Sequence, residues 1–234
     1  MGSDFQDAVK SHQAGKLDQA EKKYKKLFTN KPVSPDLSYM YGLLLLHKGK
    51  EKKGLELIQQ AISATPKVAN FYFGLCQYFK EKQRHSKALD VIDELIRQCG
   101  VSPAALAEKA GLLGHENRHQ ERAHCYLELA KLEPNNPGIY YNLGNAQKDA
   151  GRFQEAEGAY LQALKFKPDF PEAFSNLGLC LQAQNKLSEA IAAFDKSCAL
   201  RPNDYGTLMH LAHIYYSLGD VAKAHGYSDK ALQI

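Results

Sequence analysis

Residues 115 to 119 read His-Glu-Asn-Arg-His, the spacing in which two histidines one helical turn apart bind zinc and the glutamate activates water. That chemistry requires His115 and His119 to lie on one face of a single helix. Asn117, however, stands between them at the position where each repeat described below turns from one helix to the next. The sequence therefore predicts that the two histidines lie on different helices and form no metal site.

The remaining reactive side chains indicate no catalytic centre. His210 and His213 are three residues apart and could bind a metal, but they lack a third ligand, which favours contact with a partner or solvent. The five cysteines, of which Cys76 is interpreted as a packing residue, contain no C-x-x-C pair, and this favours reduced thiols and a cytoplasmic location. We predict a non-catalytic protein without cofactor or metal.

Composition is typical of a globular chain. Its 234 residues are 44% hydrophobic and 24% charged with a formal net charge of +4, and the longest apolar run, residues 39–46, is far below the roughly 18 residues of a membrane span. Residues 1–100 hold 17 basic and 11 acidic residues, with the excess centred on Lys16 to Lys31. This mild surplus disfavours a nucleic-acid partner, and the lysines at 22, 23, 25 and 26 are interpreted as a solvated outer face.

The nine prolines recur with a period of 34 residues in two phases. One phase holds Pro32, Pro66, Pro134, Pro168 and Pro202, with Gly100 in the vacant place; the other holds Pro35, Pro103, Pro137 and Pro171. Because Pro and Gly mark helix boundaries, we predict repeats over 1–34, 35–68, 69–102, 103–136, 137–170, 171–204 and 205–234. The last stops within its second helix.

Other positions of the repeat agree with two antiparallel helices per repeat. Positions 8 and 20 are small in every repeat except at Arg122, position 24 is large and apolar until Ser228, and position 15 is Gly or Asn except at Gln83. Small residues allow two helices to approach closely beside a large neighbour, and Gly or Asn accepts the left-handed turn between them. Ser34, Ser102 and Asn136 precede prolines and are predicted helix N-caps.

Residues of repeats 5 and 6 resemble the tetratricopeptide repeat. They are Tyr140, Leu143, Gly144, Gly151, Ala156, Tyr160, Ala163 and Pro168, followed by Phe174, Leu177, Gly178, Ala190, Phe194 and Pro202. The resemblance implies an all-α solenoid in which helix pairs stack into a right-handed superhelix and the first helices line a concave groove. It is weakest in repeat 1, where Asp7 suits an end cap, and in repeat 4, where Lys109, Arg122, Gly111 and Gly114 depart from the pattern.

The resemblance also implies which side chains face the groove. They are apolar in the N-terminal half, at Tyr39, Leu43, Leu46 and Phe73, and more polar in the C-terminal half, at Tyr141, Asn142, Asn145, Asn176, His210 and His213. Asn142 and Asn176 occupy one position in adjacent repeats, similar to the asparagine ladders in the repeat arms of protein O-glycosyltransferases. Such amides suit hydrogen bonding to a peptide backbone; alternatively, they are solvated or satisfy a neighbouring loop.

The helix containing residues 39–46 is apolar on every side, so its groove-facing residues need a cover. A partner, a second copy in a homodimer, a further segment of the protein, or tight stacking of the repeats would each provide one. We therefore predict a scaffold that binds a protein segment, either an extended peptide or a partner helix. The alternative is the substrate-recruiting arm of a larger enzyme such as a glycosyltransferase or methyltransferase; a chaperone-tail clamp is disfavoured because position 5 is never basic.

Overall fold

A computed structural model describes residues 3–29 and 32–234, and these residues form fourteen α-helices and no β-strand. The helices are α1 Ser3–Gln13, α2 Leu17–Phe28, α3 Pro35–His47, α4 Glu51–Ala64, α5 Ala69–Glu81, α6 His85–Cys99, α7 Pro103–His115, α8 His119–Leu132, α9 Pro137–Asp149, α10 Phe153–Phe166, α11 Pro171–Ala183, α12 Leu187–Leu200, α13 Tyr205–Ser217 and α14 Val221–Leu232. Residues 1–2, 30 and 31, which belong to the predicted first repeat and include Lys31, lie outside the described residues.

Local chemistry explains where the helices begin. The hydroxyl of Ser34 accepts a hydrogen bond from the backbone N–H of Leu37 at 3.2 Å, and that of Ser102 accepts one from Ala105 at 3.2 Å. The side-chain oxygen of Asn136 accepts the N–H of Gly138 at 3.0 Å. All three residues are N-caps, as predicted, and each satisfies an N–H that the helix itself leaves unpaired.

The turn within each pair of helices uses one left-handed residue. Positive φ angles occur at Gly15, Gly49, Gly151 and Gly219, and also at Asn117 and Asn185. Gln83 adopts the same conformation, with φ of 56°, although its side chain disfavours it. The geometry of the turn is thus imposed by the packing of the two helices, even where the sequence offers neither Gly nor Asn.

The chain divides into two compact units, Met1–Leu112 and Leu113–Ile234, and each is considered by itself. In the first unit, α3 and α4 cross at Gly42 and Gly54: a Cβ atom on either glycine would lie 2.9 Å from the backbone carbonyl oxygen of the other. The core beside this crossing contains the fully buried Tyr24, Leu44 and Ile58. Close backbone approach therefore joins these helices.

The second unit repeats one contact in successive helix pairs. A Cβ atom on Gly144 of α9 would lie 2.6 Å from the ring of Tyr160 in α10, and one on Gly178 of α11 would lie 2.6 Å from the ring of Phe194 in α12. Both rings have no exposed surface. The predicted pairing of a small residue with a large apolar one is confirmed at these positions, and it joins α9 to α10 and α11 to α12.

None of the helices in the described residues combines the length and apolar character needed to span a bilayer.

Candidate partner-binding surface

Tyr39, predicted to face a partner, is engaged within the first unit. Its hydroxyl donates a hydrogen bond to the backbone carbonyl of Asn70 at 3.0 Å, and its ring stacks on Phe71 with centroids 4.5 Å apart. Gly74 leaves room for the phenol oxygen, which would lie 1.9 Å from a Cβ atom at that position. Burial raises the pKa of Tyr39. This side chain therefore joins α3 to α5.

The prediction that Leu46 faces the groove is wrong. Its side chain is 3% exposed and fills the space over Gly54, where a Cβ atom would lie 2.7 Å from Cδ2 of Leu46. Leu43 and Phe73 are half-buried, and no large hydrophobic side chain among the described residues of 3–100 is exposed. Stacking of the helices thus covers most of the apolar surface of α3, which is one of the covers anticipated from the sequence.

In the second unit, a network of amides and hydroxyls joins the first helices α9 and α11. Asn145 Oδ1 accepts hydrogen bonds from the hydroxyl of Tyr160 at 2.7 Å and from Asn176 Nδ2 at 3.1 Å. Asn176 Nδ2 also donates to the hydroxyl of Tyr141 at 3.2 Å, and its Oδ1 accepts from Lys148 Nζ at 3.2 Å. Both ends of the Asn176 amide are therefore used inside the protein.

Asn142 and Asn176 consequently differ, although they occupy the same position in adjacent repeats. Asn142 is half-exposed, and its side chain makes no hydrogen bond to any other described residue. Its amide donor and acceptor are available to a partner without breaking an internal bond. Asn176 instead holds Tyr141 and Lys148 in place beside it through its side-chain amide.

The next first helix, α13, presents a different surface. Met209 and Tyr216 are 37% and 67% exposed, and His213 is exposed as well. His210 is half-buried, and its ring stacks on Phe194 with centroids 5.5 Å apart. Burial, and to a smaller degree the neighbouring His213, lowers the pKa of His210. His210 therefore forms the inner part of this surface, whereas the other three side chains face outward.

The structure also reveals contacts that the sequence analysis missed. Ser175 of α11 and Thr207 of α13 are joined by a hydrogen bond of 2.9 Å between their hydroxyls. Together with the bond between Asn145 and Asn176, this contact links α9, α11 and α13 into one surface, here called the first-helix face. The sequence contains one signal of this contact: Ser175 and Thr207 are polar residues separated by 32 positions, about the length of one repeat.

The five-residue stretch from His115 to His119 does not present one ligand face. His115 ends α7 and His119 begins α8, with Asn117 in the left-handed turn between them. The two histidines are on different helices, as predicted. Among the described residues, no group of three or more His, Cys, Asp or Glu side chains is arranged to hold a metal ion.

Two of the buried cysteines, Cys76 and Cys180, lack the properties of nucleophiles. Burial, followed by the charge of Glu108, raises the pKa of Cys76 to about 12, and burial raises that of Cys180 to about 11. Such thiols stay protonated near neutral pH, and the thiolate is the reactive form. Cys76 is 1% exposed in the α5 core, in agreement with its predicted packing role.

Comparison with known proteins identifies the family. The family model of the Tetratricopeptide repeat matches residues 13–69, 116–169 and 141–205, more than half of the chain. The chain belongs to the tetratricopeptide repeat family. Its all-α solenoid fold is thus the one that the sequence resemblance implied. The comparison with curated protein sequences gives no significant match.

Solved structures of this family share the fold at low sequence identity. Residues 41 to the end of MamA from Desulfovibrio magneticus RS-1 give a TM-score of 0.65 and 21% identity over 70% of this chain and 93% of that one. The C-terminal part of a TPR repeat-containing protein from Cytophaga hutchinsonii gives 0.75 and 15% over 98% and 94%. YrrB, described as a TPR protein with an unusual peptide-binding site, gives 0.63 and 17% over 79% and 94%.

Proposed function

We propose that this protein is a non-catalytic scaffold that binds an extended peptide or a partner helix on the first-helix face of Leu113–Ile234. The observation that carries the proposal is the combination on one face of an available amide at Asn142 and outward-facing side chains at Met209, His213 and Tyr216. A peptide backbone needs hydrogen-bond partners, and its side chains need apolar contacts, so the two kinds of group complement each other.

The internal network supports this function by reducing the cost of binding. Tyr141, Asn145, Asn176 and Lys148 are held by mutual hydrogen bonds before any partner arrives. A surface whose side chains are already ordered loses less conformational entropy on association. Met209 adds a flexible contact that adapts to different apolar side chains, and Tyr216 offers a large aromatic surface of the type found at binding hot spots.

The comparisons support a binding role in a more general way. YrrB, which shares the fold, is described as having a peptide-binding site, and we extend peptide binding to this chain as a proposal. Non-catalytic function is supported by the raised pKa values of Cys76 and Cys180 and by the separation of His115 and His119 onto two helices. We place the protein in the cytoplasm because its cysteines show no disulfide pattern.

A peptide array probed with the purified protein tests the proposal. A triple variant, Asn142→Ala with Met209→Ala and Tyr216→Ala, removes the exposed groups of the first-helix face without touching the internal network. Loss of the captured peptides, with a rise in Kd of about tenfold or more, is expected because truncation of hot-spot side chains costs about 2 kcal/mol or more.

The matched control truncates exposed leucines on second helices, at Leu127 of α8 and Leu161 of α10, which are 44% and 49% exposed. Leu127→Ala with Leu161→Ala should leave peptide capture unchanged. Absence of any peptide captured by the unmodified protein contradicts the proposal, and so does equal capture by the triple variant.

A further inference from the structure

Three turns between paired helices lie along one edge of the first unit. Lys48, which follows α3, places its Nζ atom 2.5 Å from Asp18 Oδ1 in α2, next to the preceding turn, and Arg84, which precedes α6, forms an ion pair with Glu51 at the start of α4. Each ion pair connects a turn to the one before it. The segments around 14–18, 48–53 and 82–87 therefore form a continuous strip, here called the turn edge.

Acidic residues of the turn edge already form ion pairs within the protein. The carboxylate of Glu21, whose side chain is 7% exposed, forms ion pairs with Lys48 Nζ at 2.5 Å and with Lys50 Nζ at 2.8 Å. Hydrogen bonds from these lysines lower the pKa of Glu21 to about 2. Asp18 and Glu51 are likewise paired with Lys48 and Arg84. Their negative charges are thus neutralised before any partner is present.

Five lysines of the turn edge remain without an ion pair to any described residue. They are all exposed and lie within or beside the three turns: Lys16, Lys52, Lys53, Lys82 and Lys87. Glu81, which accepts a hydrogen bond from the Gln77 amide at 3.1 Å, lies beside them, and Glu56 and Asp90 lie one helical turn further along α4 and α6. Within the three turn segments basic residues outnumber acidic ones, so the turn edge carries a net positive charge, in agreement with the excess of basic residues in residues 1–100.

The equivalent positions in the second unit show that folding does not require these lysines. Lys53 and Lys87 are the third residues of α4 and α6, and the third residues of α8, α10 and α12 are Glu121, Glu155 and Glu189. The last second helix, α14, has Lys223 at this position, and Lys223 forms an ion pair with Asp220 at 3.2 Å. A negative charge at this position is favoured by the helix dipole, and a positive charge is disfavoured. Lys53 and Lys87 thus occupy a position where three of the four second helices of the second unit carry glutamate.

We propose that the turn edge binds an extended acidic segment of another protein. Neighbouring helices pack about 8–10 Å apart, so three successive turns span about 20 Å, which an extended chain covers with about six residues. Aspartate and glutamate side chains along such a segment would meet the five lysines in sequence. This surface is separate from the first-helix face, and the inference does not depend on the function proposed for that face.

The character of the edge favours carboxylates over other anions. Its unpaired cations are lysines, which act as point charges, whereas the edge's arginine, Arg84, is already paired with Glu51. The described residues of 3–100 include no exposed large aromatic or aliphatic side chain. Nucleic acid strands are usually held by exposed aromatic stacking and membranes by inserted apolar side chains, so an acidic polypeptide is the better match.

Fluorescence anisotropy with a labelled peptide of about eight alternating Glu and Asp residues tests the inference. We expect binding that weakens as salt increases from about 50 to 200 mM, since screening acts on exposed charges. Lys53→Glu with Lys87→Glu should raise Kd by about tenfold or more, because it introduces the glutamate found at this position in α8, α10 and α12 and so reverses two contacts. Circular dichroism verifies that the variant is folded.

Lys26→Glu with Lys67→Glu is the matched control, since it makes the same change in net charge on exposed residues near the end of α2 and beyond the end of α4, away from the turns. Its Kd should change less than about threefold, because Lys26 lies about 12 Å along the helix axis from Asp18 and Lys67 lies farther still from Lys53, beyond the Debye length of about 10 Å at 0.1 M salt. Absence of binding by the unmodified protein, or equal losses in the two double variants, overturns the inference. Tighter binding to single-stranded RNA or to phosphatidylserine vesicles than to the acidic peptide also overturns it.

Discussion

Gly178 is the position where a single methyl group should perturb the fold most clearly. An added Cβ atom would lie 2.6, 2.7 and 2.8 Å from Cε1, Cζ and Cδ1 of Phe194. The ring has no solvent-exposed surface, so its displacement would also have to move the side chains packed around it. Overpacking of this kind costs about 1–3 kcal/mol, and replacing a helical glycine by alanine recovers up to about 1 kcal/mol. Gly178→Ala should therefore lower the free energy of unfolding by about 1–2 kcal/mol.

Gly158 provides the matched control on the neighbouring α10. It is exposed, and a Cβ atom there meets nothing within 4 Å. Gly158→Ala should raise the free energy of unfolding by about 0.5–1 kcal/mol through helix propensity alone. Urea titration followed by far-UV circular dichroism measures both variants. Since repeat proteins can unfold in steps, the midpoints and m-values are compared together.

A second substitution separates the steric cause from other effects of Gly178→Ala. Phe194→Leu shortens the side chain that the new methyl group would strike, and it should cost less stability in the Gly178→Ala background than in the unmodified protein. A favourable coupling of about 1 kcal/mol is expected for residues in contact. If Gly178→Ala is as stable as Gly158→Ala, or if the two effects at 178 and 194 simply add, the steric argument is refuted.

Three further predictions follow from the contacts of individual side chains. The folded-state pKa of Glu21 is lowered to about 2, so the stability that its ion pairs contribute is present above about pH 5 and is lost as the pH falls towards 2. Glu21→Gln should therefore make the free energy of unfolding depend less on pH in this range, as measured by acid titration. An unchanged pH dependence would contradict the role given to the Glu21 ion pairs. The exposed Cys99 should react rapidly with a thiol reagent, whereas Cys76 and Cys180 should react only after unfolding, and a Cys99→Ser variant that still reacts rapidly would show otherwise. Asn176→Ala should lower the free energy of unfolding by about 1–2 kcal/mol because it leaves half-buried partners without hydrogen bonds, whereas Asn142→Ala should leave it unchanged. Urea midpoints measure both variants, and equal effects would show that the hydrogen bonds of Asn176 do not stabilise the fold.

Much of the fold could be predicted because its determinants are local. Ser34, Ser102 and Asn136 cap the helices that follow them, and each does so through a hydrogen bond spanning two or three residues. The left-handed turn at Asn117 follows from the same short-range chemistry and was sufficient to place His115 and His119 on different helices. A period repeated seven times makes such local features unusually easy to read.

The candidate sites were predicted less completely, because the state of a side chain depends on neighbours from other repeats. Leu46 was expected to face a groove, yet it fills the space left by Gly54 on the next helix. Asn176 was expected to bind a partner in the same way as Asn142, but it lies within reach of Tyr141, Asn145 and Lys148, about one repeat earlier. Position within the repeat fixes the face of a residue and leaves its hydrogen-bond partners undetermined.

By itself, the sequence determined the helix boundaries, the turns that contain Gly or Asn, and the pairing of small with large residues, since these depend on backbone conformation and volume at fixed spacing. Packing of the two helices imposed the turn at Gln83. Tertiary structure decided which polar and charged side chains form bonds within the protein and which remain available to bind a partner. Glu21, Asp18 and Glu51 form ion pairs with Lys48, Lys50 and Arg84 across adjacent turns. Only these contacts show that Lys53 and Lys87 form no ion pair with any described residue. Electrostatic and hydrogen-bond partners are chosen by distance in space, and stacking of the helix pairs creates those distances.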